Sequence, residues 1–149
     1  MMKNTQPIHK HTSMPDKLTL NTLDNPHSDR DYTISLNISE LTCLCPIDNQ
    51  PSFGKLSVEY IPDKHCLEMK SFKSYVHALR NTTFFQEEIV NQIRDQLIGV
   101  LAPRYLHLVA EFDATNGVAM TVSANYHKKD WLPNQLRLPQ PAKLLDKPA

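Results

Sequence analysis

Lys55-Leu56-Ser57-Val58-Glu59-Tyr60-Ile61 alternates polar and apolar side chains with a period of two. That is the pattern of a strand with one face on a core and the other in water. Tyr32-Thr33-Ile34-Ser35-Leu36-Asn37-Ile38 repeats it upstream, so the two segments predict a pair of antiparallel strands. Between them Cys45-Pro46-Ile47-Asp48-Asn49-Gln50-Pro51 carries two prolines and an Asp-Asn pair, which favour a turn over continued pairing. Downstream the period changes. Ser71 to Leu79 reads as helical, Asn81-Thr82-Thr83 supplies a break with capping side chains, and a second helix is predicted over about Phe84–Val100. In it Phe85, Ile89, Ile93 and Leu97 recur every four residues, with Gln86, Glu88 and Arg94 on other faces. Pro103 ends that helix, and Tyr105–Ala110 and Val118–Val122 predict two more strands around an Asn116-Gly117 turn. The order β-β-α-α-β-β defines an α+β fold: a four-stranded antiparallel sheet with two helices on one face. Two sheet edges are left open, and edge-to-edge assembly into a ring would cover them.

The chain has 149 residues, enough for one core that buries roughly 68–70% of the unfolded surface. Residues 1–28 contain Pro7, Pro15, Pro26 and three histidines among few apolar side chains and read as a mobile arm, with the folded part starting near Asp31. The domain is expected over 29–130. The tail 131–149, with Trp131, Pro133, Pro139, Pro141 and Pro148, is expected to leave the core. Sixteen basic and sixteen acidic side chains cancel, so bulk attraction to nucleic acid or an anionic membrane is not expected. No apolar run approaches the ~20 residues of a membrane span, and Met1-Met2-Lys3-Asn4-Thr5 has no signal-peptide core, which reads as a cytoplasmic protein. Cys43, Cys45 and Cys66 form neither an even disulfide set nor a Cys-x-x-Cys motif, and no metal site is expected. With three glycines and no Gly-x-Gly-x-x-Gly or Walker loop, a Rossmann or P-loop site is excluded.

The chemistry concentrates at a few positions. Cys45 precedes Pro46 in an irregular loop, where no regular pairing fixes the direction of the thiol; Cys43 and Cys66 sit in or beside apolar strand patterns and read as small buried hydrophobes. A catalytic thiol attacks as the thiolate and needs a proton acceptor or a positive field. Near Cys45 the sequence offers Glu40 and Asp48, and Asp48 is accounted for as a turn former. Lys70 and Lys73, with Ser71 between them, stand at the entrance to the first helix, where free backbone N–H groups and the helix dipole would add to their charge and favour phosphate. A solvated lysine face is the alternative. Glu87 lies in the first turn of the second helix, either complementing the dipole or facing a heterocycle whose two N–H groups a carboxylate can accept.

Together these residues resemble the NADPH-dependent 7-cyano-7-deazaguanine reductases, the nitrile reductases of queuosine biosynthesis, in their short single-module form. The resemblance covers about residues 30–126. It rests on the Cys45-Pro46 loop with Gln50-Pro51 and Phe53, on Tyr60-Ile61-Pro62-Asp63-Lys64, and on Glu-x-Lys-Ser-x-Lys-x-Tyr at 68–75. Arg80-Asn81, Glu87 and Pro103-Arg104-Tyr105 extend it. It implies a tunnelling fold (T-fold), shared with GTP cyclohydrolase I, and a homo-oligomer of two stacked rings, a decamer being one candidate, with sites between subunits. It also implies that Cys45 attacks the nitrile carbon to give a thioimide, which two NADPH reduce to the aminomethyl group. By the same resemblance Glu68 and Glu87, with Gln86 beside the latter, bind the deazaguanine, and Lys70, Ser71 and Lys73 meet the cofactor.

The chain departs from the family pattern at several of these positions. Ser52 stands seven residues after Cys45, where the family has an aspartate that donates a proton to the nitrile nitrogen, and a serine cannot act as a carboxyl acid near neutral pH. Gln86 replaces a histidine, Ser74 a bulky residue, and Thr115-Asn116-Gly117 an Arg-Gly-Gly. These departures leave two alternatives beside the reductase: a paralogue with non-redox thioimide chemistry, amidino transfer or hydrolysis, and a protein that only binds the deazapurine. The retained lysine motif and the neutral net charge speak against the tRNA-directed amidinotransferase version of the first.

Overall fold

The structure is a computed structural model that describes residues 18–132. Its centre is a four-stranded antiparallel sheet in the order β2-β3-β5-β6, formed by β2 (Ile34–Leu44), β3 (Pro51–Ile61), β5 (Tyr105–Thr115) and β6 (Val118–His127). Helices α1 (Met69–Ala78) and α2 (Gln86–Leu101) are joined through a short 3₁₀ turn, Leu79–Asn81. Each predicted strand is present and longer than its alternating core, because pairing continues past the end of the hydrophobic pattern. A separate ribbon adds to the expected elements: β1 (Thr22–Asp24) pairs antiparallel with β4 (His65–Leu67). Residues 18–28, read from the sequence as part of the arm, are therefore tied to the domain, with Leu20 buried in the core and Asn25 Nδ2 donating to the Asp63 carbonyl at 2.8 Å. The rest of the expected arm, 1–17, and the tail from 133 lie outside the described residues.

Period-two burial holds along β5, whereas on β3 the face expected to be wet is covered too, with Ser57, Glu59 and Ile61 buried as well. Leu56, Val58 and Tyr60 on β3 and Leu106, Leu108, Ala110 and Phe112 on β5 are all buried, and they form one cluster with Phe72, Tyr75 and Val76 of α1 and Ile89, Val90, Ile93, Leu97 and Leu101 of α2. Phe85, expected in the stripe of α2, instead occupies its N-cap in extended conformation. Helix α2 ends at Ala102, which takes the left-handed conformation usual for a helix C-terminus (φ 41°), and Pro103 follows. The Asn116-Gly117 turn is as predicted, both residues having positive φ and joining Thr115 to Val118 in a two-residue hairpin.

Two register shifts lie near the same end of the sheet. On β2 the pairing passes from Ile38↔Leu56 to Leu41↔Gly54, and on β5 from Phe112↔Met120 to Thr115↔Val118. Each inserts one extra residue, a β-bulge, which reverses the parity of inward and outward positions. On β2 the inward set changes from Ile34, Leu36 and Ile38 to Leu41 and Cys43. Gly54 lies just beyond the first bulge because the β5 backbone approaches closely; a Cβ there would stand 2.6 Å from the Glu111 carbonyl oxygen.

The far end of the sheet is closed by Arg104. Its guanidinium donates to Asp31 Oδ1 (2.9 Å), the Arg30 carbonyl (3.0 Å), Asp63 Oδ1 (3.1 Å) and the Ser28 carbonyl, while Lys128 Nζ meets Asp63 Oδ2 at 2.5 Å. Lys128, and then Arg104, hold the Asp63 carboxyl below the ordinary carboxylate range. A depressed carboxyl pKa contributes stability above its unfolded value, roughly 3.9, which is lost as pH falls through the folded value. Replacing Arg104 by alanine is expected to cost roughly 2–4 kcal/mol in urea unfolding, because it strips four hydrogen bonds and leaves two carboxylates without their guanidinium partner. Asp63→Asn should flatten the loss of stability below about pH 4; an unchanged acid limb would assign the pH dependence to other carboxylates.

Candidate active site

At the end of the sheet opposite Arg104, β2 and β3 are joined by the loop 45–50. Cys45 N–H donates to the Gln50 carbonyl (2.8 Å) and Asn49 N–H returns to the Cys45 carbonyl (2.9 Å), with Asn49 in the left-handed conformation at φ 57°. Asp48 Oδ1 accepts from Gln50 N–H at 3.0 Å, which completes the turn as the sequence predicts for that residue. The loop is held against the start of α2 by a short parallel bridge: Leu44 N–H donates to the Thr82 carbonyl (2.9 Å) and Phe84 N–H to the Leu44 carbonyl (3.0 Å).

These contacts enclose a cavity of about 290 Å³. One wall is Cys45, Asp48, Gln50, Pro51 and Ser52; a second is Phe84, Phe85, Gln86 and Glu87; and the β5–β6 hairpin closes the third with Thr115 and Met120. Its volume falls near the lower end of the roughly 300–1,000 Å³ typical of small-molecule clefts. Thiol, carboxylates, amides and aromatic rings share one small space. Phe84 is fully buried beneath it, Cys45, Ser52 and Gln86 are half-buried, and Glu87 and Asp48 are exposed at the rim.

The two neighbouring cysteines differ as the sequence suggests. Cys43 is wholly buried, its Sγ against the Phe84 carbonyl (3.7 Å), and burial with the added charge of Cys45 pushes its thiol up to about 11. Ser52 is the cross-strand partner of Cys43, not of Cys45, so its hydroxyl enters the cavity from the β3 side. Cys66 lies elsewhere, half-buried with its Sγ 3.6 Å from the Tyr32 hydroxyl.

Glu87 makes no side-chain cap bond, though its place in the first turn lets its charge complement the helix dipole. The N-cap residue of α2 is Phe85, which makes no side-chain bond, and Glu87 stands in the first turn beside the opening of the cavity. The residues at the start of α1 are placed differently. Glu68 is itself the N-cap, its carboxylate accepting from Lys70 N–H (2.6 Å) and Ser71 N–H (2.7 Å), and these backbone bonds, that from Ser71 first, lower its pKa. The free N–H groups expected beside Lys70 and Lys73 are thus occupied by Glu68. Ser71 Oγ donates to the Glu68 carbonyl (3.0 Å) and accepts from Asn21 N–H (2.9 Å), which ties α1 to the N-terminal segment. Only the two exposed lysine ammonium groups of this motif are left for an anion.

Within one chain Glu68, Lys70, Ser71 and Lys73 are not at the cavity. Leu67 N–H donates to the Tyr60 hydroxyl (3.0 Å), so α1 begins where β3 ends, whereas Cys45 stands where β3 begins. Cys45, Ser52, Gln86 and Glu87 are brought together. The sequence does not single out the wall residues Phe85 and Met120 as site residues, because no spacing distinguishes a cavity wall from a helix stripe or an exposed hairpin; it marks Thr115 only as a departure from the family pattern.

An antiparallel sheet carrying both helices on one face, with its cavity at the loop end, is the tunnelling fold. The chain spans 62% of its own length and 91% of the other in superposition on the archaeosine synthase QueF-Like in the apo form, with a TM-score of 0.58 and 25% identity. The sequence profile of the family described as QueF-like protein matches residues 51–131. Proteins named NADPH-dependent 7-cyano-7-deazaguanine reductase are similar over most of the chain. That of Nitrosococcus oceani is 44% identical over 128 residues, 85% of this chain and 98% of that protein. That of Halorhodospira halophila is 46% identical over 109 residues, 73% of this chain and 92% of that protein. The chain belongs to the QueF-like family.

The different settings of the cysteines give a direct test. Under native conditions near pH 8, iodoacetamide should modify Cys45 more than ~10-fold faster than Cys43, since only the thiolate reacts. Peptide mapping would read this, and equal rates would mean that the strand end opens to expose the core.

Proposed function

We propose that this chain reduces the nitrile of 7-cyano-7-deazaguanine to an aminomethyl group with NADPH, in queuosine biosynthesis. The observation that carries the reading is the half-buried Cys45 thiol in one small cavity with Glu87, in a chain 42–46% identical to several reductases of that name. A nitrile carbon is electrophilic, and a thiolate that adds to it forms a thioimide, an activated carbon held in place for reduction. Full reduction takes two hydrides, which NADPH supplies when bound. Glu87 accepts N–H bonds from the ring, and the Gln86 amide is adjacent on the same wall. Phe84 and Phe85 bound the cavity with apolar surface that excludes water from the sulfur.

Lys70 and Lys73, three residues apart on the exposed side of α1, suit the phosphates of NADPH. They stand on the first turns of α1, which starts where β3 ends and rises about 15 Å over its ten residues before the chain returns toward Leu44. A second copy that sets its own α1 entrance against this cavity would complete the site. The open edges of β2 and β6 allow such a homo-oligomer in rings. We also place the protein in the cytoplasm; among the described residues no helix is long and apolar enough to cross a membrane.

The reductase reading is preferred to non-redox thioimide chemistry or deazapurine binding alone, because the similar proteins of high coverage carry the reductase name. The wild-type chain should oxidise two NADPH per nitrile consumed, and Cys45→Ala should abolish this. Glu87→Gln should weaken binding of the base by more than ~1 kcal/mol. Cys45→Ala and Lys70→Ala/Lys73→Ala chains, each inactive alone, should recover NADPH oxidation when co-assembled. Mixed oligomers that form but stay inactive would rule out a site shared between copies.

A further inference from the structure

We infer that Asp48 is the proton carrier for the addition of Cys45 to the nitrile, a step that rests on the proposed thioimide chemistry. The cavity contains two carboxyl groups, Asp48 and Glu87. Glu87 stands on the α2 wall, where the ring is held. Asp48 stands on the same loop as the thiol, three positions away, and the loop is fixed from both sides by the Cys45–Gln50 and Asn49–Cys45 backbone bonds. Its Oδ1 is committed to Gln50 N–H, and its Oδ2 has no hydrogen-bond partner among the described residues. One oxygen orients the group and the other is available for a proton. Of the other polar side chains on that wall, Gln50 is an amide with no acidic proton to give and Ser52 offers a hydroxyl that does not give up its proton near neutral pH.

The step balances without any redox partner. Asp48 starts as the carboxylate and takes the proton from Cys45 Sγ. The sulfur electron pair forms the C–S bond as one carbon–nitrogen π bond of the nitrile breaks. The nitrogen takes the proton back from the Asp48 carboxyl, giving the neutral thioimide and restoring the carboxylate. The thiol proton has moved to nitrogen, and nothing has been oxidised or reduced.

The experiment mixes the full-length protein with 7-cyano-7-deazaguanine, without NADPH, and follows intact mass by rapid quench. Wild type should gain the mass of the nitrile at Cys45. Asp48→Asn keeps an oxygen for the Gln50 N–H bond, so the turn and the fold survive, and it should form the adduct roughly 10²–10⁴-fold more slowly with unchanged affinity for the base. Its rate should also rise steadily with pH, because the thiolate must then form without the carboxylate. Restoring a carboxyl on the same wall in Asp48→Asn/Ser52→Asp should recover the rate by at least tenfold. Asp48→Asn reacting as fast as wild type would overturn the assignment while leaving the thioimide reading intact. Wild type that binds the base and forms no adduct would overturn that reading and the assignment with it.

Discussion

The site depends on a backbone feature, the single extra residue that each of β2 and β5 carries near the same end of the sheet. Alternation fixes which side chains face the helices, and a strand that kept its parity to the end would send the wrong residues inward. The β2 bulge moves the inward set to odd positions, so Cys43 enters the core and Cys45, two residues on, continues the same phase just past the last paired strand residue. The β5 bulge does the same for Thr115, which joins Met120 on the cavity wall. Bulges are frequent beside functional sites because they re-aim side chains without disturbing the rest of the ladder. Here they let a regular sheet carry a core along most of its length and a cavity lined by a thiol and carboxylates at its end.

The entrance to α1 shows how one motif can complete a helix start and still present charge outward. Glu68 commits both carboxylate oxygens to the first free N–H groups of its helix, and Ser71 links that turn to the N-terminal segment through Asn21. A helix end capped in this way is already satisfied, and its dipole is already complemented. What projects outward is charge alone, the two lysines. The N-terminal segment that Ser71 holds is the same one that Arg104 grips through Ser28, Arg30 and Asp31, so the ordering of residues 18–31 and the setting of the lysine pair are parts of one structure.

Much of this is legible in the sequence. Strand alternation in Tyr32–Ile38 and Lys55–Ile61, the Asn116-Gly117 turn and the four-residue stripe through Ile89, Ile93 and Leu97 each rest on a local rule that tertiary contacts reinforce. The ribbon β1–β4 is not legible: Thr22–Asp24 is short, mostly polar and flanked by turn residues, and only pairing with the distant segment His65–Leu67 makes it a strand. The bulges are not assigned from sequence for a related reason: Ser39-Glu40 breaks the alternation between Ile38 and Leu41, but only the partner strand shows that the strand continues through the break. At the cavity, Cys45 stands out because a thiol in an irregular proline-bound loop is unusual, whereas Glu87, at a helix start where a carboxylate is ordinary, is singled out only by the family resemblance. Phe85 misleads, because an aromatic residue one turn before Ile89 fits the helix stripe as well as it fits a cap.

The loop 45–50 shows why acid chemistry can change address in such a site while the fold stays the same. Its ends are tied by backbone bonds, its one strained position is taken by Asn49, and Pro46 and Pro51 lie beside its closing residues. None of these constraints requires a particular side chain at position 48 or 52. Position 48 is asked only for a short acceptor to complete the turn, which aspartate and asparagine meet equally, and position 52 only for a side chain small enough to sit beside Cys43 on the neighbouring strand. A carboxyl at either place borders the same cavity, so the loop leaves the identity of the proposed proton carrier open to sequence, whereas the place of the Cys45 thiol follows from the bulge.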